Sequence, residues 1–126
     1  MPLDLDKTYV HLSADGLSSA VPGGEPFWSL PAAELEKYGQ GWLVSQFARQ
    51  ADWPTWGMHR NGDEFAYLLS GQVTMIFEIE GGQKIIALNS REATVIPKGV
   101  WHTAKVRAPS RMLFITHGAG TQHRSA

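Results

Sequence analysis

The sequence predicts an all-β domain, a sandwich or barrel of short strands. Segments rich in β-branched and aromatic residues recur at intervals of about 8–12 residues, with Gly and Pro turns between them. The 126-residue chain has 13 Gly and 7 Pro, which suit frequent turns. Within the clearest segment Val73, Met75, Phe77 and Ile79 alternate with polar residues, and only Ile76 breaks the alternation. This period of two is typical of a half-buried strand.

Residues 1–40 form an arm that precedes the strand-rich part. Residues 8–12 are predicted to form a short strand, which would place His11 on or near a sheet edge. One short helix is predicted over 31–38, because Pro31 suits the first helical position and Gly39 ends the segment.

From residue 41 onward the pattern alternates between strand and turn, so that residues 41–117 are predicted to form the barrel. Gly81 and Gly82 are predicted to join two of its strands as a two-residue hairpin. A break in strand pattern is expected at Pro109 and Ser110. Residues 118–126 are polar and are expected to fray. The predicted strands are 42–49, 65–70, 73–80, 84–88, 93–96, 101–107 and 112–117.

Composition argues against several classes of function. Eleven Lys and Arg balance twelve Asp and Glu, so we expect no nucleic-acid partner and no attraction to an anionic membrane. Without Cys there is no disulfide, thiol nucleophile or Cys-ligated metal. No apolar run approaches the ~20 residues that span a bilayer, and the N-terminal sequence does not resemble a signal peptide. We expect a cytoplasmic protein.

His102 is the first candidate for chemistry. In 101–107 it shares one face with Ala104 and Val106, while Lys105 and Arg107 take the other face. Lys and Arg seldom point into a core, so His102 should point inward. The alternative is an ordinary hydrogen-bonded core histidine.

Glu64 is the second candidate. It begins a strand and shares a face with Ala66 and Leu68, so it either enters a cavity or stays at the barrel mouth. A buried carboxylate needs a cation, a metal or strong hydrogen-bond donors. The alternative is a solvated strand end beside Asp63.

His59 completes a possible ligand set with Glu64 and His102. Two imidazoles and one carboxylate suit a divalent Fe, Mn, Ni, Co or Zn ion. The three side chains can meet only if the sheet curls over.

Two segments resemble the motifs of the cupin superfamily, in particular its small single-domain members. In 57–71, His59 is followed by four residues, Glu64, six residues and Gly71, which is similar to the first cupin motif. Pro97, Gly99 and His102 are similar to the second motif, Pro-x-Gly-x-x-His. The resemblance implies a double-stranded β-helix, a jelly-roll barrel with a metal or ligand pocket at one mouth.

The sequence departs from the cupin pattern at four positions. The first motif His falls on Gly57; if one residue is deleted from the loop, His59 takes that place and Asn61 the next. Either way one imidazole is missing. Arg91 replaces a usual Gly and Val106 a usual Asn. The resemblance therefore implies three protein ligands where the family has four, and metal-free small cupins also exist.

Other residues near the proposed ligands are weaker candidates. Trp56 and Trp101 lie close in sequence to His59 and His102, so they are predicted to wall the pocket. Tyr67 and His117 are candidates for a general acid or base. His123 lies in the polar tail and is expected to be a solvated bystander.

Two functions of different classes follow from the resemblance. One is a metal-dependent enzyme acting on a small polar metabolite, as an isomerase, dioxygenase or lyase. The other is a non-catalytic module that binds or senses a small molecule, with or without metal. We also expect a homodimer, because small cupins commonly pair their sheets and the arm carries apolar surface in need of a partner. That surface comprises Tyr9, Phe27, Trp28 and Leu30.

Overall fold

Nine strands pair into one curled sheet in the computed structural model, which describes residues 2–118 and 121–126. The strands are β1 (Thr8–Leu12), β2 (Ser18–Pro22), β3 (Trp42–Arg49), β4 (Thr55–His59), β5 (Glu64–Ile79), β6 (Gly82–Asn89), β7 (Ala93–Ile96), β8 (His102–His117) and β9 (Thr121–Ser125). All the pairings are antiparallel. The order β2-β1-β3-β8-β4-β9 forms one path, and β5 joins it by pairing with β8, β6 and β7.

The two longest strands, β5 and β8, bend together in the middle. Each has 16 residues, and their register shifts between Leu68 and Val73. Gly71 lies at this bend with φ 104°, and the amide of Gln72 donates to Ser110 Oγ across it at 3.1 Å. The sequence predicted breaks near Gly71 and Pro109; the strands instead continue through both positions as a bulge. Such bulges bend a strand and increase its twist, which lets the sheet curl.

The core lies inside this curl. Val73, Met75 and Phe77 are buried, as their alternation predicts, whereas Ile79 is exposed beside the hairpin. That hairpin differs by one residue from the prediction: its loop is Glu80-Gly81, and Gly82 already pairs with Ile79. The main cluster of buried residues comprises Ala66, Leu68, Val73, Met75, Phe77, Leu88, Ile96, Ala104, Met112 and Phe114.

The helical part of the arm is more broken than predicted. The segment 31–38 holds a one-turn helix, α2 (Ala32–Leu35), and a 3-10 turn (Glu36–Tyr38). Pro31 precedes the helix in an extended conformation, with ψ 150°. A second one-turn helix, α1 (Glu25–Trp28), was not predicted, because four residues are too few to show a helical period.

Both ends of the chain join the sheet. β1 lies between β3 and the edge strand β2, so His11 is near the edge as predicted, but its side chain is buried. The expectation that the tail frays is wrong for 121–125, which form β9 against β4. The division of the chain at residues 40 and 117 stays a prediction.

Candidate metal centre

Three side chains from three strand ends meet inside the curl. His59 ends β4, Glu64 begins β5 and His102 begins β8. Each offers one ligand atom, and these atoms lie within 4.8 Å of one another. His59 Nε2 is 3.0 Å from Glu64 Oε2, and His102 Nε2 is 3.5 Å from Glu64 Oε1. All three side chains are buried, so the structure brings together the set that the sequence proposed.

Two hydrogen bonds donated by backbone amides join the two segments that carry this set. The amide of Gly99, in the turn before His102, donates to the carbonyl of His59 at 2.8 Å. The amide of Lys98 donates to Asp63 Oδ1, also at 2.8 Å. The turn that precedes β8 is therefore fixed directly against the loop between β4 and β5.

The orientation of the His102 ring suits a cation beside Glu64. His102 Nδ1 lies 3.2 Å from the carbonyl oxygen of Val100, which can only accept, so Nδ1 carries the proton. In the neutral ring Nε2 then presents a lone pair to a Glu64 carboxylate oxygen, which is also an acceptor. Two acceptors face each other favourably only with a cation between them, either a proton or a metal ion. The residues present therefore fit a divalent metal.

Glu64 is held as a carboxylate. The Thr116 hydroxyl donates to Glu64 Oε2 at 2.5 Å. Burial by itself raises the pKa of Glu64, but hydrogen bonds from His102 and His59, and their charges, outweigh it and lower the pKa from 4.5 to about 2. An ionised carboxylate is the form that binds metals.

The three side chains line a cavity of about 280 Å³. Aromatic and apolar side chains form much of its wall, with a few hydroxyls and one arginine. Around the three candidate ligands its lining residues are Trp28, Ser45, Phe47, Arg49, Trp53, Thr55, Gly57, Val73, Val106, Ser110, Met112, Phe114, Thr116, Thr121 and His123. This size and lining are those of a site for a small molecule.

The prediction that Trp56 and Trp101 wall the cavity is wrong. Successive side chains of a strand take opposite faces, so Trp56 points away from the side on which Gly57 and His59 line the cavity. On the outside the Arg124 guanidinium lies 5.3 Å from the ring centre of Trp56 and 4.6 Å from that of Trp101. The aromatic wall is formed instead by Trp28, Phe47, Trp53 and Phe114.

Tyr67 and His117 do not line the cavity either. Tyr67 takes the face of β5 opposite to that of Glu64 and Ala66. The His117 ring packs against Trp42, with 4.2 Å between ring centres, and its Nδ1 is 3.1 Å from the carbonyl of Asn61. Neither side chain is placed to move a proton in the cavity.

Sequence reasoning missed two residues of β9. Thr121 and His123 alternate on one face of the strand and both line the cavity. Thr121 Oγ1 is 2.9 Å from His59 Nδ1 and so orients that ring. Partial burial at the cavity rim, followed by the charges of His59 and His102, lowers the pKa of His123. The sequence gives no signal that could have found them, because residues 121–125 are all polar and show no apolar alternation.

Comparison with solved structures identifies the architecture. A cupin-2 domain protein of Shewanella frigidimarina aligns with TM-score 0.52 and 22% identity, over 60% of this chain and 70% of that one. The chain has the cupin fold. An oxalate decarboxylase of Bacillus subtilis aligns with TM-score 0.58 and 17% identity over 67% of this chain, and a hydroxypropylphosphonic acid epoxidase of S. wedmorenis with TM-score 0.51 and 15% identity over 60%.

The alignment with this chain spans only part of each enzyme, 23% of the decarboxylase and 43% of the epoxidase. Their structures are described with Mn(II) centres and with Fe(II), respectively. No protein-family model matches the sequence, and the search of curated proteins found no match. Among the described residues of this cupin barrel, no helix is long and apolar enough to cross a membrane. The cytoplasmic location stays a prediction.

Proposed function

We propose that His59, Glu64 and His102 bind one divalent transition metal ion, drawn from Fe, Mn, Ni, Co and Zn. The observation that carries this proposal is the convergence of three buried ligand atoms within 4.8 Å, with His102 Nε2 lying 3.5 Å from a Glu64 carboxylate oxygen. A bound divalent ion would act as a Lewis acid towards a carbonyl or carboxylate, or provide a site for dioxygen. Val100 and Thr121 would hold the two rings in orientation.

The proposed activity is metal-dependent chemistry on a small polar metabolite, of isomerase, dioxygenase or lyase type. The cavity of about 280 Å³ admits a small molecule, and much of its wall is apolar. Arg49 on the wall can pair with an acidic group of the substrate. The decarboxylase and the epoxidase that share the fold are named for small acids, which supports an acidic substrate.

A non-catalytic binding module is the second candidate, and the position of Tyr67 and His117 outside the cavity favours it. Within the described residues, Arg49 and His123 are the ionisable side chains that line the cavity besides the three proposed ligands. A barrel of this kind can hold a metal and a small acid without moving a proton between them.

The metal site is tested by titrating the purified protein with Mn²⁺, Co²⁺, Ni²⁺ and Zn²⁺ in a calorimeter, and with Fe²⁺ under anaerobic conditions. We expect one ion per chain, and at least about a hundredfold weaker binding in His102→Ala, since even the loss of an orienting partner costs up to about that factor. His117→Ala removes an imidazole outside the cavity and should bind as the parent does. Parent-like affinity in His102→Ala would contradict the assignment.

The two candidate functions are separated by incubating the metal-loaded protein with small carboxylic and hydroxy acids, followed by NMR. Consumption of one acid that stops when a chelator removes the metal supports the enzyme. Saturable binding without consumption across the panel supports the module.

We also propose that the protein is a homodimer, although not for the reason the sequence suggested. Tyr9 and Phe27 are buried in a second cluster of the same chain, so the arm needs no partner to cover them. The apolar surface lies instead on the outer face of the sheet. Neighbouring strands there carry one row of directly paired residues, Val95, Phe65, Ile115 and Val44. Phe65 is 38% and Val95 52% exposed.

Light scattering at micromolar concentration should give a mass of twice 13.9 kDa for the parent. Phe65→Glu places a charge in the apolar row and should shift the mass to that of one chain, because an unpaired charge in such an interface is costly. Ile85→Glu alters an exposed residue of β6 outside the row and serves as the control. A monomeric parent would rule the dimer out.

A further inference from the structure

We propose that His123 is a fourth metal ligand, which supplies from the last strand the imidazole that position 57 lacks. The inference rests on the proposed metal site at His59, Glu64 and His102. The fourth ligand would then come from β9, a strand that lies outside both cupin motifs.

The pairing of β9 with β4 places His123 at the required position. The two strands are antiparallel, with Thr121 opposite His59 and His123 opposite Gly57. Directly opposed residues of an antiparallel pair project to the same face of the sheet. His123 therefore shares the cavity face with Gly57 and His59, and it lines the cavity.

Gly57 leaves the space that an imidazole from β9 can use. A Cβ atom added at Gly57 would lie 3.6 Å from His102 Nε2 and 3.9 Å from His123 Cδ2. Both rings thus border one small space, which a larger residue at position 57 would fill. The absence of a side chain at Gly57 therefore leaves room for the His123 imidazole beside His102.

The His123 ring borders the same cavity as the three proposed ligands. Its nitrogens lie outside the group of ligand atoms within 4.8 Å, so the ring must turn to reach a shared ion. The residue is exposed at the rim, and no hydrogen bond among the described residues holds its ring. Turning a side chain at the rim costs no core packing and breaks no bond.

Other residues already hold β9 in place, so His123 is not needed for that purpose. Arg124, on the opposite face, lies over Trp56 and Trp101 and pairs with Glu78. Thr121 contacts the His59 ring from the same strand. A ligand role for His123 can therefore be separated from a structural role in anchoring the strand.

The test uses Co²⁺, which reports affinity by calorimetry and its ligand environment by visible absorption. For His123→Ala we expect an affinity lower by at least about tenfold and an altered Co²⁺ spectrum. Gln122→Ala changes the neighbouring residue on the other face of β9 and should alter neither. The double variant Gly57→His/His123→Ala returns the imidazole to β4, and its Co²⁺ affinity should exceed that of His123→Ala.

Parent-like affinity and spectrum in His123→Ala, with binding abolished in His102→Ala, would overturn the fourth ligand while the proposed metal site stands. Weaker binding with an unchanged spectrum would also overturn it, because His123 would then act only through the strand. A parent that binds no Co²⁺ would overturn both proposals together.

Discussion

Replacing Gly71 with alanine is expected to lower the free energy of unfolding by about 3 kcal/mol, the sum of a left-handed backbone and an overpacked contact. Gly71 has φ 104°, a conformation that side chains disfavour. A Cβ there would lie 2.6 Å from the carbonyl oxygen of Pro109, so backbone at the bend of β5 and β8 would have to move. Denaturant unfolding followed by circular dichroism measures the loss.

Gly81→Ala is the matched control for this substitution. Gly81 also has a positive φ, 84°, but an added Cβ would meet nothing within 4 Å. It should therefore cost only the conformational part, about 1 kcal/mol. Equal losses in the two variants would show that the bend at Gly71 tolerates a side chain.

Glu64 is expected to make the metal-free protein sensitive to acid. Its pKa is lowered in the folded state from 4.5 to about 2, so its contribution is present above pH 4.5 and is lost as the pH falls towards 2. A shift of this size corresponds to about 3 kcal/mol. Unfolding of the chelator-treated parent at pH 5 and near pH 2 measures the loss.

Glu64→Gln is the control for the acid effect, because it removes the titrating group and keeps the size of the side chain. Between pH 5 and pH 2 the parent should lose about 3 kcal/mol more of its free energy of unfolding than Glu64→Gln loses. Equal falls would assign the acid sensitivity to other carboxylates.

The sequence predicts which face of a strand a site residue takes, because side chains alternate between the two faces. Ala104 and Val106 place His102 on the inner face, and the structure buries its side chain. For Glu64 the pattern left open whether it enters a cavity or stays at the barrel mouth, and the structure buries it as well. The same rule explains the error at Trp56 and Trp101. Nearness in sequence to a candidate ligand was taken as nearness in space, yet adjacent residues of a strand point to opposite faces.

The strand β9 could not be predicted from its own residues. Thr121 to Ser125 are polar and carry no apolar stripe, so their conformation depends on pairing with β4 and on the contact of Arg124 with two tryptophans. Likewise the local sequence at Pro109 and Ser110 predicts the end of a strand. The strand continues there because a register shift opposite Gly71 accommodates them.

The hydrogen bond from Gly99 to the His59 carbonyl bears on how the proposed centre would take up an ion. Two imidazoles that lie 43 positions apart in the chain are placed by backbone contacts that involve no metal. The entropy of bringing them together is therefore lost during folding and not at ion uptake. A centre preorganised in this way would load and release an ion without refolding of the barrel.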